Sequence, residues 1–117
     1  MGIKILGTGS YLPPKIVTNG DIAASLDTSD EWIFSHTGIH ARHVAGEGET
    51  TSSMAAEAAR KALEMSGVKP EEIGLIVVAT SSPDYGTFPS TACIVQDLLG
   101  CVNAGAFDLQ AACAGFV

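Results

Sequence analysis

The sequence predicts an α/β fold with a mostly parallel sheet. Three observations carry this. IGLIVVAT (residues 73–80) is a strand pattern apolar on both faces, NAGAFDLQ (103–110) is a second strand pattern, and a helical pattern of crossover length lies between them. A strand apolar on both faces sits inside a covered sheet, and parallel neighbours need a helix to connect them.

GIKILGTG, residues 2–9, is apolar and then breaks on glycines, which predicts a first strand. SYLPPKIVTN follows, and its two prolines rule out an immediate helix. Residues 18–39 predict two short helices. Asn19 is placed to cap the first, around residues 21–26. Thr28 or Ser29 is placed to cap the second, with Asp30 and Glu31 favourable in its first turn. AGEGETTSS is a polar, glycine-rich loop. SMAAEAARKALEMSG is the clearest helix. Ala55, Ala58, Ala59, Ala62, Leu63 and Ser66 share one face, and Glu57, Arg60, Lys61 and Glu64 share the other. Glu57 and Lys61 are spaced for an i,i+4 ion pair, and Gly67 suits the position after the last turn. KPEE predicts a single turn. PSTACIVQDLLG predicts a helix with Pro89 in its first turn and Gly100 as terminator. The expected order is β-α-β-α-β.

Composition excludes several classes. With 46% hydrophobic and 16% charged residues, the chain is too apolar for a disordered segment. It is also more apolar than a chain of 117 residues readily buries alone. No apolar run has transmembrane length, and MGIKILGTGS lacks the pattern of a secretory signal. The net charge is −7, and the basic residues (Lys4, Lys15, Arg42, Arg60, Lys61 and Lys69) form no stripe, against nucleic-acid binding. The three cysteines, Cys93, Cys101 and Cys113, are odd in number and lack framework spacing, so they read as reduced thiols of a cytoplasmic protein.

Several motifs invite a chemical reading. GTGSYLP follows a strand pattern as a dinucleotide fingerprint does, but Leu12 holds the third glycine position and two prolines block the helix; a tight turn is the plainer reading. HTGIHARH places His36, His40 and His43 close together. Gly38 interrupts any helix that would align them, so a polar loop is expected and no metal site. Trp32 is either core or a flat surface for a ligand ring, and spacing favours core. The loop SSPDYGTFPS, with Tyr85 and Phe88, lies at the carboxyl end of a strand, where open α/β sheets line their ligand crevice; an ordinary connecting loop fits equally. Cys113 lies at that same edge. It is either a small packing residue, which spacing alone favours, or a nucleophile, its thiolate favoured by a helix start and its small neighbours leaving room for an acyl group. Cys93 and Cys101 read as packing residues.

Taken together, GTGSYLP, TSDEWI, TGI, IGLIVVAT, FPSTAC and AFDLQAACAGF resemble β-ketoacyl-acyl-carrier-protein synthase III, a thiolase-fold condensing enzyme. The resemblance covers the whole chain. It implies a thiolase-like half fold and an enzyme that condenses acyl-CoA, typically acetyl-CoA, with malonyl-acyl carrier protein to begin fatty acid synthesis, needing no cofactor. Cys113 would be the nucleophile, with its N–H in the oxyanion hole. Trp32 would stack on the adenine of CoA, Thr28 and Thr37 would line that tunnel, and Phe88 would reach toward a partner's acyl pocket. The strand near residues 104–109 would pair with its mate in a homodimer. The family usually carries arginine where this chain has His36, which implies weaker, more pH-dependent contact with a CoA phosphate. The family's catalytic histidine and asparagine fall outside residues 1–117, so an incomplete domain is expected. A related condensing enzyme of secondary metabolism, or a fragment acting only with its missing half, are the alternatives.

Overall fold

In a computed structural model of the chain, which describes residues 2–117, two compact units are present. Residues 2–11 and 50–117 form the larger one, and residues 12–49 the smaller.

The smaller unit holds β1 (Ile16–Thr18), α1 (Asn19–Ala23), α2 (Asp30–Thr37) and β2 (Ala41–His43). β1 and β2 pair antiparallel, with Val17 opposite Arg42. This small sheet was not expected, because three-residue strands give no periodicity to read. Thr18, not Asn19, caps α1. The Thr18 hydroxyl accepts the Asp21 N–H, and Asp21 reaches back to the Thr18 N–H. The helix also ends at Ala23, short of residue 26. Asn19 is used elsewhere. It is 1% exposed, and its side-chain amide donates to Asp30 Oδ1 and the Ile39 carbonyl, both at 2.7 Å. Its oxygen accepts from Arg42 at 2.6 Å, and Arg42 also donates to the Val17 carbonyl. A buried amide is tolerable here because both its donor and acceptor ends are satisfied. α2 follows expectation: Ser29 caps it and Gly38 ends it at φ 70°.

The larger unit holds α3 (Thr51–Ser66), β3 (Leu75–Ala79), α4 (Thr91–Leu99) and β4 (Gly105–Leu109), with 3₁₀ turns at Pro70–Glu72 and Ala112–Ala114. β3 and β4 pair in parallel, from Leu75 opposite Gly105 to Ala79 opposite Leu109. α3 and α4 pack together around Ala56, Ala92, Val95 and Cys101. On α3 the charged face is exposed as expected, but the deepest positions are Ser52 and Ala56, which the alanine pattern did not single out. Glu57 pairs with Arg60 rather than Lys61, in a short contact. Lys61 instead donates to the Ser10 carbonyl at 2.8 Å. Arg60 also reaches the Leu98 carbonyl at 3.1 Å, a favourable charge at the negative end of α4.

Residues 2–10 form no strand. They lie against α3 at Gly7 and Gly9, and a cleft of about 600 Å³ separates Ile5–Gly7 from residues 73–77 of the β3 edge. A strand needs a ladder partner, and this segment pairs with none among the described residues. The glycines of GTGSYLP therefore serve close packing, not a tight turn. β3 and β4 alternate between half-buried and exposed positions, so Leu75, Val77, Phe107 and Leu109 stand on an open face. The expected cover on both sides is not met among the described residues.

α4 starts after Pro89 rather than including it; Ser90 is its cap. Asp108, on β4, reinforces that end by accepting the Thr91 and Ala92 N–H groups at 2.8 and 2.7 Å. These are two of the donors a helix leaves unpaired, held by a charge of the favoured sign. Asp108→Ala is expected to destabilise the fold by about 2 kcal/mol, and Asp108→Asn by less, since one acceptor survives. Denaturant melts with an unchanged slope check this.

Candidate functional site

β4 runs through Leu109 to Gln110 and Ala111, and the chain then makes one 3₁₀ turn, Ala112–Ala114. The dipole of a full helix, expected at Cys113, is therefore absent from the described residues; the element is a single turn. Its geometry is still specific. Ala112 holds φ 45°, a left-handed conformation that costs a non-glycine residue of order 1 kcal/mol or more. Gly115 lies so close to β3 that an added Cβ would stand 2.9 Å from the Ala79 Cβ. The Thr80 N–H donates to the Leu109 carbonyl at 3.1 Å, extending the ladder to the base of the turn.

This places the Cys113 thiol in the open, at the carboxyl edge of two parallel strands. It borders a recess of about 640 Å³ lined by Val77, Ala79, Leu109, Gly115 and Phe116. The Cys113 N–H has no backbone acceptor among the described residues, as the first amides of a helical turn do not. An exposed thiol, an apolar wall and a free amide are what acyl transfer to sulfur requires. The other cysteines differ. Cys101 is buried, and burial, then the charge of Glu71, push its thiol up. Cys93, expected to pack, is exposed on α4, and its sulfur accepts the Ser90 hydroxyl at 3.1 Å.

The loop between β3 and α4 leaves the same sheet edge. Its Asp84 carboxylate meets the first turn of α3. Burial pulls its pKa up more than any single other cause. The Ser52 hydroxyl and N–H, with Thr50 and the Thr51 N–H, together outweigh that and hold it below the usual carboxylate value. Tyr85 and Phe88 project beyond it, both exposed.

In the smaller unit, Thr28 and Trp32 share a recess of about 640 Å³ with Ile22, Leu26 and Ile33. Trp32 is 59% exposed, so the core reading fails and the indole is an open surface. The Thr28 hydroxyl oxygen is buried with no hydrogen-bond partner among the described residues. A buried, unpaired hydroxyl beside an open ring fits a ligand that brings its own polar group. His36 stacks on Trp32, ring centroids 4.2 Å apart, with Nδ1 2.7 Å from the Trp32 carbonyl. That carbonyl can only accept, so the Nδ1 proton is fixed and Nε2 is left for another partner. Thr37 does not join the recess. Its hydroxyl donates to the Ile33 carbonyl and accepts the Ile39 N–H, closing the end of α2.

The three histidines do not converge. His40 stacks on Phe34 and lies 2.9 Å from Asp30, and His43 meets the Pro13 carbonyl. That hydrogen bond from His40, then the Asn19 amide, lowers the Asp30 pKa. No cluster of three His, Cys, Asp or Glu suited to a metal occurs among the described residues. No helix there is long and apolar enough to cross a membrane.

Comparison with known proteins turns on these same segments. The chain is 61% identical over 113 residues to the β-ketoacyl-[acyl-carrier-protein] synthase III of Ehrlichia chaffeensis, covering 97% of this chain and 35% of that protein. It superposes on 3-oxoacyl-[acyl-carrier-protein] synthase III from Aquifex aeolicus with a TM-score of 0.94 at 50% identity, over 98% of this chain and 37% of that one. Over nearly its whole length the chain is similar to β-ketoacyl-[acyl-carrier-protein] synthase III proteins. Its fold is accordingly thiolase-like α/β, of which part is present. The chain spans about a third of the length of the synthase III relatives it matches. The priming β-ketosynthase of a polyketide pathway is also similar, at a TM-score of 0.88 and 45% identity over 97% of this chain and 34% of that one. No family model matches the chain.

Proposed function

We propose that this chain supplies the nucleophile and part of the CoA site of an acyltransferase. The whole protein would condense acyl-CoA, acetyl-CoA first, with malonyl-acyl carrier protein. The observation that carries this is the exposed Cys113 in its strained turn at the carboxyl edge of β3 and β4. The thiolate attacks the thioester carbonyl of acyl-CoA. The N–H of Cys113 steadies the oxyanion, and CoA leaves as its thiolate. Malonyl-acyl carrier protein then loses CO2, and the resulting carbanion attacks the acyl-cysteine. The β-ketoacyl product departs on the carrier, and Cys113 takes its proton back. Decarboxylation needs groups beyond this chain.

Support for the CoA site comes from the recess holding Thr28 and Trp32, an open ring beside an unpaired hydroxyl. Thr37 acts there only through the end of α2. Phe88, exposed on its loop, fits a role in the acyl pocket across a homodimer axis, with β4 pairing to its mate. A cytoplasmic setting suits the free thiols. The likeness to a priming ketosynthase favours a second reading, a condensing enzyme of secondary metabolism with another acyl donor or acceptor.

To test the first reading, the polypeptide carrying this chain is incubated with acetyl-CoA and digested. An acetyl adduct on the Cys113 peptide is expected, followed by β-ketoacyl product when malonyl-acyl carrier protein is added. Acylation that persists in Cys113→Ala refutes it. A protein acylated well only by other donors supports the second reading.

His36 gives a separate expectation. A guanidinium offers a phosphate a permanently charged bidentate fork, which an imidazole does not. His36→Arg is therefore expected to bind CoA more tightly than the native protein. Calorimetric titrations giving equal affinities for the two proteins would sink this.

A further inference from the structure

One buried amide holds both ends of α2. Asn19 opens α1 and is 1% exposed. Its backbone N–H donates to the His40 carbonyl at 2.9 Å. Its side-chain nitrogen donates to the Ile39 carbonyl and to Asp30 Oδ1, both at 2.7 Å. Its side-chain oxygen accepts from Arg42 of β2 at 2.6 Å. Asp30 is the first residue of α2, and Ile39 and His40 follow the left-handed end of that helix at Gly38. The Asp30 oxygen that Asn19 reaches also meets His40 Nδ1 at 2.9 Å, and the His40 ring stacks on Phe34 within α2. The start of α1, both ends of α2 and β2 thus meet at a single side chain.

The same two helices wall the recess of the smaller unit. Ile22 comes from α1, Trp32 and Ile33 from α2, and Thr28, with its buried unpaired hydroxyl, from the link between them. Thr28 lies two residues before Asp30 and Trp32 two residues after it. The residue that Asn19 grips therefore sits between the hydroxyl and the open ring. The Asn19–Asp30 hydrogen bond joins α1 directly to α2, so the spacing of the walls depends on it.

We propose that Asn19 is a positioning residue for the CoA donor. By holding the start of α1 against both ends of α2, it sets the shape of the recess that receives the nucleotide end of CoA. The inference rests on the CoA reading of that recess. Asn19 is buried and does not line the recess; it acts through Asp30 and the turn at Ile39. An amide suits the task because it brings two donors and an acceptor without a charge. An aspartate would keep the bond to Arg42 but lose both donors and set a second carboxylate against Asp30.

The test compares native protein, Asn19→Asp, the milder Asp30→Ala and Trp32→Ala, each in the full polypeptide carrying this chain. Acylation of Cys113 is followed by mass spectrometry with acetyl-CoA and with acetyl-pantetheine, which brings the same thioester without the nucleotide. Thermal midpoints are measured alongside. The ratio of kcat/KM for acetyl-CoA to that for acetyl-pantetheine is expected to fall about tenfold in Asn19→Asp and less in Asp30→Ala, through KM for acetyl-CoA. A purely structural role would lower both donors together, or the thermal midpoint alone, and leave that ratio unchanged. An unchanged ratio in folded Asn19→Asp overturns the inference. If Asn19→Asp does not fold, the ratio in Asp30→Ala decides, since that side chain is 53% exposed and its loss opens no core. A ratio that Trp32→Ala also leaves unchanged overturns the CoA reading of the recess, an outcome separable from an unchanged ratio in the Asn19 variant alone. A native protein that acetyl-CoA does not acylate, or acylates no faster than acetyl-pantetheine does, overturns both together.

Discussion

Cys113→Ala is expected to abolish acyl-enzyme formation and to lower condensation by about 10⁴-fold or more, while leaving the fold intact. Both halves of this expectation come from position. The thiol is exposed and packs into no core, so its loss removes no buried contact, and a stability change within about 0.5 kcal/mol is expected. The chemistry has no substitute, because Cys101, the buried cysteine, is screened from substrate with its thiol pushed up. Cys93 is the informative control. It is also exposed, so a thiol reagent will label it, yet it lies on α4 with no part in the Cys113 turn. Cys93→Ala should retain full acylation. The measurement is acyl mass on separated peptides; an adduct found on Cys93 in place of Cys113 would remove the main support for the proposed mechanism.

How this site could be read from sequence depends on which interaction carried each part. The strands 73–80 and 103–110 were legible because their apolar runs are continuous, and they fall at Leu75–Ala79 and Gly105–Leu109. α2 and α3 were legible because caps are local: Ser29 and Gly38 bracket one, and Gly67 ends the other. Residues 2–9 were misread because the same apolar pattern serves a strand or a segment lying on a helix. Only the approach of Gly7 and Gly9 to α3 separates the two. Asn19 was read as a cap because its type fits, whereas tertiary partners at Asp30, Ile39 and Arg42 claim its side chain. Trp32 was read as core on spacing, with Ile33 and Phe34 following it; its exposure depends on which face of α2 is left open. Asp84 and Asp108 were missed altogether. Their partners lie 32 and 17 residues away, and no local pattern announces a carboxylate that caps a remote helix. A serine or threonine opening each helix, with an aspartate near a strand end, is the only trace they leave.

Gly9→Ala is expected to be the most damaging single methyl in the larger unit. The Cβ it adds would stand 2.1 Å from the Ala58 carbonyl oxygen, 2.7 Å from the Ala62 nitrogen and 2.9 Å from the Lys61 Cβ. Two of these are backbone atoms within the hydrogen-bonded ladder of α3, so neither can move without breaking the helix or expelling the segment. Overpacking a core costs about 1–3 kcal/mol when side chains can yield. Against backbone the cost belongs at the upper end or beyond, about 3 kcal/mol or more, a large share of a domain's net stability. Gly74→Ala is the counterpart. Nothing lies within 4 Å of its Cβ position and its φ is not left-handed, so the added methyl meets only open space. There the loss of freedom in the unfolded chain dominates, and a gain of up to about 1 kcal/mol is expected. Opposite signs in paired denaturant melts establish that residues 2–10 are docked on α3. If Gly9→Ala proves neutral, the segment does not pack there, and the glycines of GTGSYLP lose the role the structure gives them.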